Sequence, residues 1–179
     1  IEEFNSTIEG VLTTIDFNIK NKLTDKNLRD MISHFGKYRF RNEDFESPDM
    51  MGNAYEYLIK MFADSAGKKG GEFYTPREVV DLLVALIKPK AGMKIYDPTV
   101  GSGGMLLGSR NYLMSHGENP KNLSLFGQEN NRSTWAICRL NMFLHGVFNA
   151  DIRHGDTLGD PQHLQGGQLS VYDRVIANP

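Results

Sequence analysis

The sequence predicts an α/β fold in which a parallel, doubly wound sheet follows an all-α amino-terminal domain. From residue 75 onward, short apolar stretches typical of buried strands alternate with helical stretches. Before that point the apolar residues recur at helical spacing, and the stretch 66–71, with three glycines and two lysines, separates the two patterns. The alternation predicts right-handed crossovers between parallel strands.

The composition is that of a globular protein. Of the 179 residues, 40% are hydrophobic and 23% are charged, and the formal net charge of −2 gives no overall electrostatic reason to expect nucleic acid. The single cysteine excludes an internal disulfide, and no apolar run approaches the ~20 residues of a membrane span, so we expect a cytoplasmic protein. The five histidines lack metal-ligand spacing, and we expect no metal site.

Residues 1–66 are interpreted as the helical domain. Apolar residues at helical spacing predict a first helix over 4–15, and a second helix follows the start signal Thr24-Asp25 and stops at Gly36. Ser47-Pro48 predicts the start of a third helix, with an apolar stripe comprising Met51, Tyr55, Leu58, Ile59 and Phe62. The basic and aromatic stretch between the second and third helices is interpreted as a connector rather than a nucleic-acid contact.

Residues 67–179 are interpreted as the second domain. Thr75-Pro-Arg-Glu78 has the spacing of a capping box and predicts a helix that continues to Ile87. A short strand at Ile95-Tyr96 is followed by a loop in which Gly101, Gly103 and Gly104 allow positive φ before a helix begins at about Met105. The remaining predicted elements are strands at 123–126, 151–153 and 172–177, a helix over 132–145 and a polar loop over 159–168.

Polar residues follow the predicted strands, and the carboxyl ends of parallel strands meet at one edge of a sheet. Glu129 ends the second strand, where a carboxylate can accept both hydroxyls of a ribose. The loop reads Gly-Ser-Gly-Gly rather than Gly-x-Gly-x-x-Gly, and the sequence has no Gly-Lys-Ser/Thr phosphate loop. The pattern therefore favours a cofactor that has a ribose but no phosphates.

Four ordered motifs resemble those of the amino-methylating DNA methyltransferases. They are Glu72-Phe-Tyr-Thr-Pro-Arg77, Asp97-Pro-Thr-Val-Gly-Ser-Gly-Gly104, Gln128-Glu129 and Asn178-Pro179. More narrowly, the chain resembles the modification subunit of type I restriction-modification systems, including its segment Asp49–Leu58, which in that family joins the helical and catalytic domains. The resemblance covers essentially the whole chain. It implies a Rossmann-like S-adenosylmethionine-dependent methyltransferase sheet, truncated here, behind an all-α amino-terminal domain.

The resemblance also implies site residues. Glu129 would hold the ribose hydroxyls of S-adenosylmethionine, and Asp156 would lie near the adenine ring. The wall over the methionine part would comprise Glu72, Phe73, Tyr74, Thr75, Pro76 and Arg77, and the cofactor loop would comprise Asp97, Gly101, Ser102, Gly103 and Gly104. Asn178 and Pro179 match the start of the catalytic Asn-Pro-Pro-Phe/Tyr motif, whose second proline and aromatic residue are absent from this chain. We therefore expect the native protein to continue beyond residue 179.

The implied reaction is methylation of the exocyclic amino group of adenine. The base would be flipped out of the duplex and stacked on an aromatic ring, while the Asn178 side-chain oxygen and the Pro179 carbonyl accept hydrogen bonds from the amine. The family implies DNA, a specificity subunit and a restriction subunit as partners, in a hetero-oligomer with two modification subunits and without a membrane.

Two other functions stay open on the sequence. An Asn-Pro-Pro-Tyr motif also suits a planar amide, so the enzyme could methylate protein glutamine. Alternatively, the chain could bind S-adenosylmethionine as an assembly module without catalysing a reaction. Taken alone, Asn178-Pro179 is most simply a turn, and Thr75 with Glu78 is most simply a helix cap. Cys138 is interpreted as a packed thiol rather than a nucleophile.

Overall fold

A computed structural model describes residues 8–11, 24–39, 41–47, 49–67 and 73–179. The helices are α1 (Asp25–Phe35), α2 (Met50–Ala66), α3 (Arg77–Ile87), α4 (Gly104–Ser115) and α5 (Arg132–Leu144). The strands are β1 (Lys94–Asp97), β2 (Ser124–Glu129), β3 (Asp151–His154), β4 (Leu164–Gln165), β5 (Gln168–Leu169) and β6 (Arg174–Val175).

The main sheet has four parallel strands in the order β3-β2-β1-β6, which confirms the predicted parallel sheet. From β1 the chain moves outward through β2 to β3 and then returns to the other side of β1 as β6. The direction of winding therefore reverses beside β1. In open parallel sheets this switch point forms a crevice beyond the carboxyl ends of the strands, where ligands bind.

The core lies between the sheet and the helices α3, α4 and α5. Ile95, Leu125 and Ile152 of the three neighbouring strands are buried in one apolar cluster with side chains of these helices. The alternate residues Tyr96 and Phe126 lie on the other face of the sheet, where their rings contact Tyr172 from the segment that precedes β6. The ring of His163, which precedes β4, also contacts both of these rings.

The helix α1 confirms the second predicted helix. The Thr24 hydroxyl oxygen accepts a hydrogen bond from the Asn27 N–H at 3.2 Å, and Gly36 follows the last helical residue. No residue of α1 is buried, however, and the side chain of Ile32 is 68% exposed. The apolar stripe that predicted this helix therefore lies open rather than in the core.

The first predicted helix, over 4–15, falls largely outside the described residues. Its described part, residues 8–11, is a turn closed by a hydrogen bond from the Val11 N–H to the Ile8 carbonyl at 3.1 Å. Gly10 has a φ of 73° there, which a right-handed helix does not accommodate. A continuous helix through this stretch was therefore a wrong prediction.

The helix α2 begins later than its start signal predicted. Asp49 occupies the N-cap position, and the Ser47 carbonyl accepts a hydrogen bond from the Met50 N–H; Pro48 lies outside the described residues. The predicted apolar stripe is also largely exposed: of its members only Ile59 is buried, whereas Phe62 is 64% exposed. The helix packs against α5, and its buried residues are Gly52, Ile59 and Ala63, of which only Ile59 belongs to the predicted stripe.

Two loop predictions are refined. The connector before α2 contains an ion pair between Arg39 and Asp44 at 2.6 Å, which favours its interpretation as a structural connector.

The polar loop over 159–168 contains the first strand of the small antiparallel pair formed by β4 and β5. Of the predicted strand 172–177, only β6 is paired as a strand, and the Ile176 N–H extends the pairing to the Tyr96 carbonyl at 3.0 Å. Within the described ranges, every helix is too short or too polar to cross a membrane.

Candidate functional site

A cleft opens at the switch point of the sheet, beyond the carboxyl ends of β1 and β6. Its lining brings together segments far apart in the sequence: Phe73, Tyr74, Thr75, Thr99, Val100, Gly101, Ser102, Gly104, Met105 and Asn178. Seven of these ten residues were predicted as site residues. Glu72 lies outside the described residues, so its predicted place beside the cleft has no structural test.

The glycine loop connects β1 to α4. Gly101 has a φ of 55° and Gly103 a φ of 86°, and both values lie in the left-handed region that favours glycine. A Cβ on Gly103 would lie 2.7 Å from Met142 Cε and 3.0 Å from Cys138 Sγ, so the missing side chain lets the loop approach α5. Positive φ at Gly104 was a wrong prediction, because Gly103 already makes the turn and Gly104 begins the helix.

The Glu129 carboxylate is fixed beside the glycine loop. Oε2 accepts a hydrogen bond from the Gly101 N–H at 3.1 Å, and Oε1 accepts one from the Asn131 N–H at 2.8 Å. Each oxygen has a second acceptor site. The carboxylate is therefore held at the end of β2 and keeps acceptor capacity for a ligand.

Asp97 ends β1 beneath the loop and is fully buried. Its Oδ1 accepts a hydrogen bond from the Thr99 N–H at 3.0 Å, whereas its Oδ2 has no hydrogen-bond partner among the described residues. Burial raises the pKa of this carboxyl to about 7, with the negative charge of Glu129 adding to the effect and the Thr99 N–H opposing it. A substantial fraction of Asp97 is therefore protonated at neutral pH.

The segment before α3 forms the opposite wall of the cleft. The Phe73 carbonyl accepts a hydrogen bond from the Ser102 N–H at 3.0 Å, which ties this wall to the glycine loop. The Thr75 hydroxyl oxygen accepts a hydrogen bond from Asn178 Nδ2 at 3.2 Å, across 103 positions of sequence. Two motifs from opposite ends of the second predicted domain thus meet through their side chains.

The capping box predicted at Thr75 is not formed. Pro76, not Thr75, occupies the N-cap position of α3, and no side chain caps this helix. The Pro76 carbonyl accepts hydrogen bonds from the N–H groups of Val79 and Val80, both at 3.0 Å. Thr75 therefore lies one residue too early to cap the helix.

Several predicted site residues do not line the cleft. Asp97, Gly103 and Glu129 belong to its supporting layer, as their contacts with the loop and α5 indicate. Asp156 is exposed, and its Oδ1 accepts a hydrogen bond from the Leu158 N–H at 3.0 Å within its own loop. That loop begins beside Glu129, since the Gly155 N–H donates to the Glu129 carbonyl at 3.0 Å. Pro76, Arg77 and Pro179 are exposed outside the lining.

Three lining residues were not predicted: Thr99, Val100 and Met105. Thr99 and Val100 lie inside the motif Asp97–Gly104, and this motif was the signal that could have identified them. Val100 joins the loop to β2, because its N–H donates to the Gln128 carbonyl at 3.0 Å. Met105 was assigned only to the start of a helix.

The sequence matches the family described as N-6 DNA methylase over residues 46–179. The chain belongs to the N-6 DNA methylase family. The matched range includes α2, the cleft-lining segments and β6.

Relatives of this N-6 DNA methylase chain include subunits of type I restriction enzymes. The chain is 32% identical to the type I restriction enzyme HindI methylase subunit of Haemophilus influenzae, a match that covers 100% of this chain and 40% of the relative. It is 38% identical to the MjaVIII methylase subunit of Methanocaldococcus jannaschii over 78% of this chain and 25% of the relative. The chain thus spans less than half the length of these relatives.

A solved structure supports the same family. The methyltransferase subunit of a type I restriction-modification system from Streptococcus thermophilus superposes with a TM-score of 0.80 at 30% identity, covering 100% of this N-6 DNA methylase chain and 38% of that chain. The agreement confirms the predicted α/β methyltransferase fold.

Proposed function

We propose that this chain forms the cofactor-binding half of an adenine-specific DNA methyltransferase of a type I restriction-modification complex. The enzyme transfers a methyl group from S-adenosylmethionine to the exocyclic amino group of a flipped-out adenine. The observation that carries the proposal is the position of Asn178 in the same cleft as the glycine loop, whose Gly101 N–H binds the Glu129 carboxylate.

The residues of the cleft fit S-adenosylmethionine, which supplies an electrophilic methyl group on a sulfonium. The fixed Glu129 carboxylate keeps acceptor sites for the two ribose hydroxyls. The Thr99 Oγ1 atom belongs to a residue that lines the cleft and has no hydrogen-bond partner among the described residues, so it can accept a hydrogen bond from an ammonium group. Phe73 and Tyr74 line the opposite side of the cleft.

The catalytic role falls to Asn178 and Pro179. The Asn178 side-chain oxygen and the Pro179 carbonyl oxygen accept hydrogen bonds from the adenine amino group. These bonds favour a pyramidal nitrogen whose lone pair points at the methyl group, so the chain orients the nucleophile without a covalent intermediate. Extracting the base from the duplex costs a few kcal/mol, which stacking of the extruded base on an aromatic ring offsets.

The assembly is part of the proposal. A net charge of −2 is low for a protein that binds DNA on its own, so partner subunits supply much of the phosphate contact. The proposed complex contains two modification subunits, a specificity subunit that reads the DNA sequence and a restriction subunit, and it acts in the cytoplasm. Residues 1–66 act as the helical domain, and residues 67–179 belong to the methyltransferase domain.

The cofactor site is tested by calorimetry on the full-length protein. Glu129→Ala should weaken S-adenosylmethionine binding at least about tenfold, since one hydrogen bond to a charged group contributes ~1.5–3 kcal/mol. Asp81→Ala, which removes an exposed carboxylate from α3, is the matched control and should leave the affinity unchanged. Equal affinity of the Glu129→Ala variant and the wild-type protein would exclude this carboxylate as the ribose ligand.

The catalytic assignment is tested by methylation of adenine-containing DNA by the assembled complex. Asn178→Ala should abolish methyl transfer and leave the Kd for S-adenosylmethionine within about twofold, because the amide acts on the substrate amine. Asn111→Ala, on the exposed face of α4, is the control and should remain active. Methylation of a protein glutamine in place of adenine would exclude the DNA assignment and favour the amide methyltransferase.

A further inference from the structure

We infer that Thr75 is a positioning residue for the catalytic amide. Its hydroxyl holds the Asn178 side chain so that the carbonyl oxygen, and not the amino group, faces the substrate amine. This inference rests on the proposed function. It goes beyond that function, which assigns the motif containing Thr75 only to the wall of the cofactor site, because it gives Thr75 a role toward the catalytic residue.

The chemistry requires one orientation of the amide. An asparagine side chain presents an acceptor oxygen and a donor NH₂ group of similar size, and rotation about its last torsion exchanges them. Only the oxygen accepts a hydrogen bond from an exocyclic amine. An NH₂ group in that position would direct N–H groups at those of the substrate. A neighbouring hydroxyl can either accept a hydrogen bond from Nδ2 or donate one to Oδ1, and only the first arrangement leaves Oδ1 available for the substrate amine.

The geometry supplies this partner. Asn178 Nδ2 donates to the Thr75 hydroxyl oxygen at 3.2 Å, so Oδ1 remains available as an acceptor. Asn178 is exposed, whereas Thr75 is half-buried, so burial does not fix the rotation of the amide. In the part of the chain that the structure describes, the Thr75 hydroxyl is the side-chain partner that fixes this amide.

Independent backbone contacts hold the two residues. The segment that carries Thr75 is fixed to the glycine loop by the bond between the Ser102 N–H and the Phe73 carbonyl at 3.0 Å. The segment that carries Asn178 is fixed to β1 by the bond between the Ile176 N–H and the Tyr96 carbonyl at 3.0 Å. The side-chain hydrogen bond therefore joins two supported segments.

The Thr75 hydroxyl has no competing role in the helix. Pro76 restricts the residue before it to extended backbone, and this residue precedes the N-cap of α3. The helix N–H groups nearest to it bond to the Pro76 carbonyl. The interpretation of Thr75 as a cap is thus excluded, and its hydroxyl is free to bind the amide.

The test compares Thr75→Val, which removes the hydroxyl at nearly constant shape, with Thr75→Ser, which keeps it. Both are measured in the full-length protein assembled with its partner subunits, at saturating S-adenosylmethionine and DNA. We expect Thr75→Val to lower kcat about five- to tenfold, the effect of one lost hydrogen bond on orientation, with the Kd for S-adenosylmethionine within about twofold. Thr75→Ser should restore kcat to within about twofold of the wild type.

Three results would overturn the inference. The first is a kcat of Thr75→Val equal to that of the wild type, and the second is a kcat of Thr75→Ser as low as that of Thr75→Val. The third is a weakened cofactor affinity of Thr75→Val with an unchanged kcat, which would assign the hydroxyl to the cofactor. Thr75→Ala provides a second hydroxyl-free variant if the valine prevents folding, and cofactor binding by calorimetry reports the folded state. Failure of the proposed function is seen separately, because the wild-type complex itself would then not methylate adenine.

Discussion

Asp49 Oδ1 lies 2.7 Å from His145 Nδ1, across the contact between α2 and α5. The His145 ring is buried, and its backbone carbonyl accepts a hydrogen bond from Arg110 of α4 at 2.8 Å. Gly52 permits the close approach, since a Cβ there would lie 2.6 Å from the His145 ring. His145, which directly follows α5, therefore links α2 to the helices that cover the sheet.

The first prediction concerns Gly52. Glycine to alanine within a helix ordinarily stabilises by ~1 kcal/mol through helix propensity. At Gly52 we expect the opposite, a loss of ~1–3 kcal/mol, because the added methyl group meets the His145 ring. Denaturant unfolding of the full-length protein measures the change. Asn53→Ala, on the exposed side of α2, is the control, and a Gly52→Ala variant as stable as this control would contradict the close contact between Gly52 and the His145 ring.

The second prediction isolates the tight packing under the glycine loop. Gly103→Ala and Gly117→Ala both place alanine at positive φ, 86° and 74° respectively, but a Cβ on Gly117 meets nothing within 4 Å. We expect Gly103→Ala to lose ~1–3 kcal/mol more stability than Gly117→Ala, because only its methyl group contacts Met142 and Cys138. Thermal or denaturant unfolding gives the comparison. Equal losses would show that the φ angle alone accounts for the effect.

The third prediction is a pH dependence that originates at Asp97. Its pKa is raised in the folded protein from an ordinary value of 3.8 to about 7, so the folded state binds this proton more tightly than the unfolded state does. The stabilising contribution is full below pH ~4 and is lost as the pH rises through ~7, at up to ~1.4 kcal/mol per pH unit.

Asp97→Asn removes this titration and keeps an acceptor for the Thr99 N–H. The stability of the variant relative to the wild type should therefore increase between pH 4 and pH 7. Unfolding free energies measured across this range provide the check. Parallel pH profiles for the two proteins would mean that Asp97 is ionised normally in the folded state.

The fourth prediction concerns Cys138. The thiol is completely buried beneath the glycine loop, and burial raises its pKa well above the usual range. Because the thiolate is the reactive form, we expect iodoacetamide not to modify Cys138 in the native protein at pH 8 and to modify it readily in urea. Mass spectrometry of this cysteine's peptide measures the modification. Rapid alkylation of the native protein would indicate that the loop opens and exposes α5.

The central strand and its loop were predictable because their signals are local. An apolar pair before Asp97 marks a strand, and the following glycines mark a turn into a helix; both patterns depend on backbone sterics within a few residues. The capping box at Thr75 was predicted from an equally local pattern, but it is not formed. Its residue pattern was present, but the helix begins one residue later, and the hydroxyl bonds to Asn178.

The sequence by itself determined the parallel sheet and the motifs that follow its strands, because side-chain periodicity and glycine conformation are properties of neighbouring residues. Only the tertiary structure decided that the Thr75 hydroxyl binds Asn178, that Asp49 binds His145 and that Asp97 is buried with an unpartnered oxygen. These features depend on which distant segments the crossovers bring together and on how much water they exclude. Neither distance nor burial is encoded in the spacing of residues along the chain.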